Sequence, residues 1–500
     1  MTEEIEPHIA RKFEIIQKLG KGAYGIVWKA VDKKLKTVVA LKKVFDAFHN
    51  ATDAQRTFRE IMFLQELNGH ENIVRLLNII KAENNKDIYL VFDYMETDLH
   101  AVIRAGILEE VHKKYVVYQI LKALKYIHSG ELIHRDLKPS NILLNSECHM
   151  KLADFGLARS IAITEDDSTP PVLTEYVATR WYRAPEILLG STNYTKAVDM
   201  WSVGCILGEL IIGKAIFPGT STLNQIERII ELLGKPNDAD IESLESPLAV
   251  NILASVSIQK RRSFQQFFSG AQDDCLDLLR RLLQFNPKMR LTVNQAIKHK
   301  YLKEFSSPDE EIECSEPIRI PMNDNKKFSI KEYREALYND INRRKKEQRK
   351  KWQAKYLQQL GMNPDELING IHQEQSEMIS QGKNQQAHEN INGSSIQHQS
   401  QQQLQQQQQQ LQKSNIEEIQ NIIKQQQIQS QQLKKSQSQV GIQQQQKLTS
   451  QKSASNFVSQ MYNTFQQQTQ NQDNKFYQQQ QFLQQQLQQL QQKAQQKKKP

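Results

Sequence analysis

Three short apolar-rich runs open the chain and read as strands: Phe13-Glu14-Ile15-Ile16, Ile26-Val27-Trp28-Lys29-Ala30-Val31 and Val39-Ala40-Leu41-Lys42. The period then changes. Phe58, Ile61, Met62 and Leu64 lay an apolar stripe near helical spacing, with Glu60 at its edge. Residues 187–189 and 203–212 are further apolar helical stretches, the second opened by Asp199-Met200-Trp201-Ser202-Val203-Gly204. Past Ile341 this pattern gives way to a basic run, Arg343-Arg344-Lys345-Lys346-Glu347-Gln348-Arg349-Lys350-Lys351, which reads as the exposed end of a helix extending through Tyr356. Beyond that, Leu and Ile recur irregularly at residues 415–428 and 482–490, and no heptad is sustained.

Composition sharpens this division. From about Gln373 onward the chain is dominated by Gln, cannot bury enough apolar surface to offset its chain entropy, and is expected to be disordered. The formal charge of +9 owes much to basic clusters and is not read as a nucleic-acid footprint of the whole protein. The basic run either attracts RNA, acidic lipid or an import receptor, or is a plain solvated helix. Cys148, Cys205, Cys275 and Cys314 lack metal-ligand spacing and suit reduced thiols in cytosol or nucleus. No run approaches a membrane span.

The chemistry concentrates in His134-Arg135-Asp136-Leu137-Lys138-Pro139-Ser140-Asn141. Asp136 can accept a substrate hydroxyl's proton, Lys138 can lie against a transferring phosphoryl group, and Asn141 can hold a magnesium ion. Asp154-Phe155-Gly156 adds a second hard oxygen donor, as Mg2+ prefers. Between the first two strand-like runs, Gly20-Lys21-Gly22-Ala23-Tyr24-Gly25 lets backbone N–H groups approach phosphates. A dinucleotide-binding turn would open a helix there; a second strand-like run follows instead, which favours a hairpin lid. Lys42 is expected to pair with Glu60 and to touch a nucleotide's α and β phosphates.

This series, in this order, resembles the protein kinases over roughly residues 10–340. Lys two places after the Asp is the form typical of Ser/Thr kinases. The resemblance implies an α+β, bilobal kinase fold, with a small β-rich lobe to about residue 96 and a helical lobe to about residue 305. The chain then divides into an N-terminal extension (1–12), a kinase domain (13–305), an extension with the basic helix (306–358) and the Gln-rich tail (359–500). Residues 234–270 are expected to form an inserted helical pair. The implied substrate nucleotide is ATP, bound by Gly20, Lys21, Gly22, Ala23, Tyr24, Gly25, Val27, Ala40, Lys42, Asp93, Met95 and Asp98. Asp136, Lys138, Lys42 and Glu60 are the implied catalytic set, and Asn141 and Asp154 the Mg2+ ligands. Asp199 would brace the catalytic-loop backbone, and Arg290 would pair with Glu186 of Ala184-Pro185-Glu186.

Thr174-Glu175-Tyr176 further resembles the dual phosphorylation site of mitogen-activated protein (MAP) kinases of the extracellular-signal-regulated type. By resemblance Arg59, Arg135 and Arg159 would clamp phosphate on Thr174, while Arg180 and Arg183 would receive that on Tyr176. Without phosphate those arginines are expected to repel one another around an empty pocket and leave the loop poorly ordered. Phe92 stands at the gatekeeper position and should narrow the space behind adenine. Trp181-Tyr182-Arg183-Ala184-Pro185-Glu186 is shared with cyclin-dependent kinases; in that group the neighbouring pocket accepts proline after the target Ser or Thr, since proline has no N–H to leave unsatisfied. Residues 327–338 look similar to the segment after the core of atypical, long-tailed MAP kinases, in which self-phosphorylation of the loop is the implied activation route. The acidic run Ser307-Pro308-Asp309-Glu310-Glu311-Ile312-Glu313 is either a docking groove for basic peptide motifs or a solvated charge run. Two alternatives stay open: a cyclin-dependent-kinase relative with a Thr-x-Tyr loop, and a pseudokinase scaffold, which would lack Lys42, Asp136 or Asp154. The expected partners are proteins with Ser/Thr-Pro sites, with nucleic acid not expected, in cytoplasm or nucleus and, by resemblance, at cilium or basal body.

Overall fold

The computed structural model describes residues 4–22, 25–162, 179–192, 195–256, 261–324 and 326–359. Residues to Asp340 belong to one compact unit, and the described residues from Ile341 belong to a second. The chain enters through a short helix, α1 (Pro7–Lys12), with proline in the first turn where a missing N–H costs nothing. It continues directly into β1 (Phe13–Gly22), which pairs with β2 (Gly25–Asp32). With β3 (Thr37–Val44), β4 (Leu76–Lys81) and β5 (Ile88–Asp93) these make an antiparallel sheet in the order β1-β2-β3-β5-β4. Alternation along β2 buries Ile26, Trp28 and Ala30. Ala30 joins Val39, Leu41, Tyr89, Val91 and Ile9 of α1 in one apolar cluster. Val27, on the other face, lines the cleft described below.

Helix α2 (Ala51–Glu66) starts earlier than the apolar stripe, because Asn50 caps the N–H groups of Thr52 and Asp53. Phe58, Ile61, Met62 and Leu64 are buried along it. The helical lobe comprises α3 (Leu99–Ala105), α4 (Glu110–Ser129), α5 (Pro185–Leu188), α6 (Ala197–Ile212) and α7 (Thr222–Leu233). It continues through α8 (Asp238–Ser243), α9 (Ala249–Ala254), α10 (Phe264–Phe267), α11 (Asp273–Leu282) and α12 (Val293–Ala296). The expected helical pair in residues 234–270 is therefore three short helices among the described residues. Short strands β6 (Thr97–Asp98), β8 (Ile142–Leu144) and β9 (Met150–Leu152) form one small sheet, and β7 (Leu132–Ile133) with β10 (Arg159–Ser160) another.

Helix α6 is buried nearly all round, as its uniform apolarity requires. Trp201 on it stacks against Phe217 at 5.9 Å. Beside it Arg290 grips Glu186 through two bonds of 2.7 Å, with both side chains buried. Of the acidic run, Glu311 is buried and accepts hydrogen bonds from Tyr118 and Lys125, both at 3.3 Å. That carboxylate is part of the lobe's packing, neither a free docking group nor a solvated one. The last described helix, α13 (Ile330–Gln359), carries the basic run, where Arg343 pairs with Glu347 one turn on. Among the described residues no helix is long and apolar enough to cross a membrane.

Breaking a buried ion pair strands its partner. Glu186→Ala should cost about 3–5 kcal/mol of folding stability, measured by denaturant unfolding, and an unchanged midpoint would show that Arg290 finds another counter-ion.

Candidate active site

A cleft of about 870 Å³ is walled by Val27 and Ala40 of the sheet, by residues 92–98, and by Asn141, Leu143 and Asp154. Lys42 reaches into it from β3, and its Nζ lies 2.6 Å from Glu60 Oε1 on α2. Burial alone would lower the lysine's pKa, but the carboxylates of Glu60 and Asp154 outweigh it and hold it above its ordinary value. The three glycines of the loop differ in what they need. A Cβ at Gly20 or Gly22 would meet nothing within 4 Å, so protein packing does not require glycine there and the space is open to a ligand. A Cβ at Gly25 would sit 2.1 Å from the carbonyl oxygen of Lys43, so glycine there serves the close approach of β2 to β3. Ala23 and Tyr24 lie outside the described residues, and Lys21 is exposed.

Between the lobes, the N–H of Asp93 donates to Arg75 O at 3.3 Å and its carboxylate accepts from Arg75 at 3.1 Å. Met95 lines the cleft. Asp98 also lines it, but its carboxylate caps α3 by accepting from the Ala101 N–H at 2.9 Å, and burial raises its pKa. That commits one of its oxygens to the fold.

The catalytic loop follows β7. Arg135 has φ +68°, a left-handed conformation that is costly for a residue with a side chain. Asp199 Oδ2 and Oδ1 accept the N–H groups of His134 and Arg135 at 2.9 and 2.8 Å, which hold that turn. The Asp136 N–H donates to His134 Nδ1 at 3.3 Å. The proton of the ring therefore sits on Nε2, which donates to Ala153 O at 3.1 Å and ties the loop to the residue before Asp154. Asp136 Oδ2 accepts from Lys138 Nζ at 2.6 Å and from Asn141 Nδ2 at 3.2 Å. Asn141 Nδ2 also donates to Asp136 O at 2.9 Å, leaving the amide's carbonyl oxygen as its ligand atom. Asp154 is itself left-handed, at φ +62°.

Two contacts were not foreseen. Arg56, one turn before Glu60 on α2, donates to Asp154 Oδ2 at 3.2 Å. Burial pushes the Asp154 carboxyl up, but Arg56, Lys42 and Lys138 together hold it below its ordinary pKa. The spacing of four residues between Arg56 and Glu60 was a usable signal that both share one helix face. The second contact concerns the expected phosphate clamp. Arg59 Nε and Arg159 Nη1 both meet the carboxylate of Asp324, at 2.5 and 3.0 Å. The expected empty, self-repelling pocket is thus a filled one at these two arginines. Thr174 and Tyr176 lie outside the described residues; Arg180 belongs to the turn Arg180–Tyr182, which Arg183 follows. No local pattern pointed to Asp324, since 265 positions separate it from Arg59.

A family model described as the protein kinase domain matches residues 13–302. The chain is 63% identical over 351 residues to extracellular signal-regulated kinase 2 of Dictyostelium discoideum, covering 70% of this chain and 95% of that protein. It is 55% identical over 344 residues to mitogen-activated protein kinase 15 of Xenopus laevis, covering 68% of this chain and 59% of that one. Against extracellular signal-regulated kinase 7 of Drosophila melanogaster it is 49% identical over 347 residues, 68% of this chain and 38% of the fly protein. The chain belongs to the mitogen-activated protein kinases. It is a Ser/Thr protein kinase of the atypical extracellular-signal-regulated branch, so the cyclin-dependent alternative falls away. A MAP kinase takes ATP and protein substrates.

In this MAP kinase the side-chain oxygens of Asp154 and Asn141 fit a hard divalent ion, and the carboxylate already carries a cation in Arg56. Arg56→Ala removes that competitor. A partly exposed pair is worth about 1 kcal/mol, so the Mg2+ concentration for half-maximal turnover should fall about fivefold. Titration of Mg2+ at fixed ATP checks this; a higher requirement would mean that Arg56 supports the ion site.

Proposed function

We propose that the chain transfers the γ-phosphate of ATP to Ser or Thr residues followed by Pro, using Mg2+, and that phosphorylation of Thr174 and Tyr176 by its own active site raises its activity. The observation that carries this reading is the convergence of Lys42, Glu60, Asp136, Asn141 and Asp154 around one cleft and its catalytic loop. Lys42, held by Glu60, offers its ammonium to the α and β phosphates. Asp136 accepts the hydroxyl proton of the protein substrate, and Lys138 beside it neutralises charge on the phosphoryl group in transit. Asn141 and Asp154 would hold Mg2+, which when bound neutralises charge on the β and γ oxygens. Phosphoryl transfer asks little covalent chemistry of the protein, so fixed geometry supplies most of the acceleration.

The substrate-facing turn Arg180–Tyr182 is held firmly. Tyr182 donates its hydroxyl hydrogen to Glu209 at 2.6 Å, Ser202 Oγ donates to Tyr182 O at 2.8 Å, and the Trp181 indole donates to Gly219 O at 3.1 Å. By likeness to the family, the pocket beside this turn takes proline after the acceptor, since proline has no N–H to leave unsatisfied. The four free cysteines, two of them buried, support a reducing compartment such as cytoplasm or nucleus.

Asp136→Asn should lower kcat on a Ser-Pro peptide by about 10²–10⁴-fold with little change in the KM for ATP; a peptide library with no preference for Pro after the acceptor would remove the substrate class. Asp136→Ala protein made in a bacterial host should carry no phosphate at Thr174 or Tyr176 by mass spectrometry, and phosphate found there would exclude self-activation.

A further inference from the structure

The contact between Asp324 and the two arginines joins three parts of the chain at one point. Arg59 adjoins Glu60 on α2, and Arg159 lies in β10, just past Asp154-Phe155-Gly156. Both guanidinium groups are buried, and the charge of Arg59 helps lower the pKa of Arg159, next to burial itself. Two like charges at that separation and depth need an anion. Asp324 supplies it with Oδ1 on Arg59 Nε at 2.5 Å and Oδ2 on Arg159 Nη1 at 3.0 Å, and Arg159 also donates to its backbone carbonyl.

The segment bearing Asp324 is itself anchored to α2. Tyr333, fully buried, packs on Phe58 at 5.7 Å and against Phe328 at 5.8 Å, and its hydroxyl accepts from the Phe328 N–H at 3.4 Å. The next residue, Arg334, lies over the Phe48 ring at 4.8 Å. The carboxylate thus lies close in sequence to residues packed on α2.

We propose that Asp324 is a positioning residue of the kinase reaction. Its carboxylate is a built-in counter-ion that holds α2, and with it Glu60, in register with the metal-binding turn before any phosphate reaches Thr174. The proposal rests on the kinase reading above. A carboxylate carries one charge and two acceptor oxygens where a phosphate carries nearly two charges and three. The unmodified enzyme therefore has a basal rate set by the weaker anion, and a phosphate drawn to Arg59 and Arg159 strengthens a junction that already exists.

The test uses the full chain, phosphatase-treated, with a Ser-Pro peptide as substrate. Asp324→Asn should lower kcat about tenfold, within the usual range of coupling between sites, and leave the KM for ATP within about threefold. Asp324→Glu should keep turnover within about threefold of the parent, and sulfate should raise the rate of Asp324→Asn above that in chloride of equal ionic strength. An Asp324→Asn protein as active as the parent overturns the proposal. So does a loss that neither the glutamate variant nor sulfate repairs, since that marks damaged packing alone. Should Asp324→Asn fail to fold, the glutamate variant decides: near-parental turnover supports the proposal, and a tenfold loss overturns it. A parent protein that labels no peptide refutes the kinase reading instead.

Discussion

A charge taken wholly out of water must be matched where it lies, and the catalytic half of this molecule is arranged around one such charge, that of Asp199. It is fully buried. Burial by itself drives its carboxyl toward the neutral form, yet the bond from His128 Nε2 at 2.9 Å and the nearby His134 hold it below its ordinary pKa. Its two oxygens take the backbone N–H groups of His134 and Arg135, which fixes a turn that Arg135 would otherwise leave. Asp136 is the next residue. The position of the base is therefore set by a buried residue on α6, 63 positions further along the chain.

Helix α2 does the corresponding work for the nucleotide side. Arg56, Arg59 and Glu60 lie within five positions and reach three different partners, Asp154, Asp324 and Lys42. A displacement of the helix by one turn would break all three pairs together. Packed elements linked by several discrete contacts hold one of a few arrangements and do not drift between them. Such a helix is suited to report, as a single unit, whatever binds its arginines.

Much of this was legible in the chain. The loop from His134 to Asn141, the strand ending at Lys42 and the turn at Asp154 declared themselves because each is a short local pattern. Their chemistry needs particular residue types at fixed spacing. Glu60 was readable for a further reason, since an amphipathic stripe fixes which face it occupies. What could not be read was a pairing that no family motif carries. Asp324 sits in a stretch with no periodicity, and its partners lie 265 and 165 positions away. The acidic run divides: Asp309, Glu310 and Glu313 are exposed, as charge suggests, while Glu311 is buried because Tyr118 and Lys125 of α4 meet it. Gly25 is a subtler case, since its place in a glycine motif suggested a ligand and its surroundings show a backbone crossing.

The guanidinium resting on Asp154 has a bearing on the charge balance of the site. Because that carboxylate already has a cationic neighbour on α2, its negative charge is matched from within the polypeptide itself.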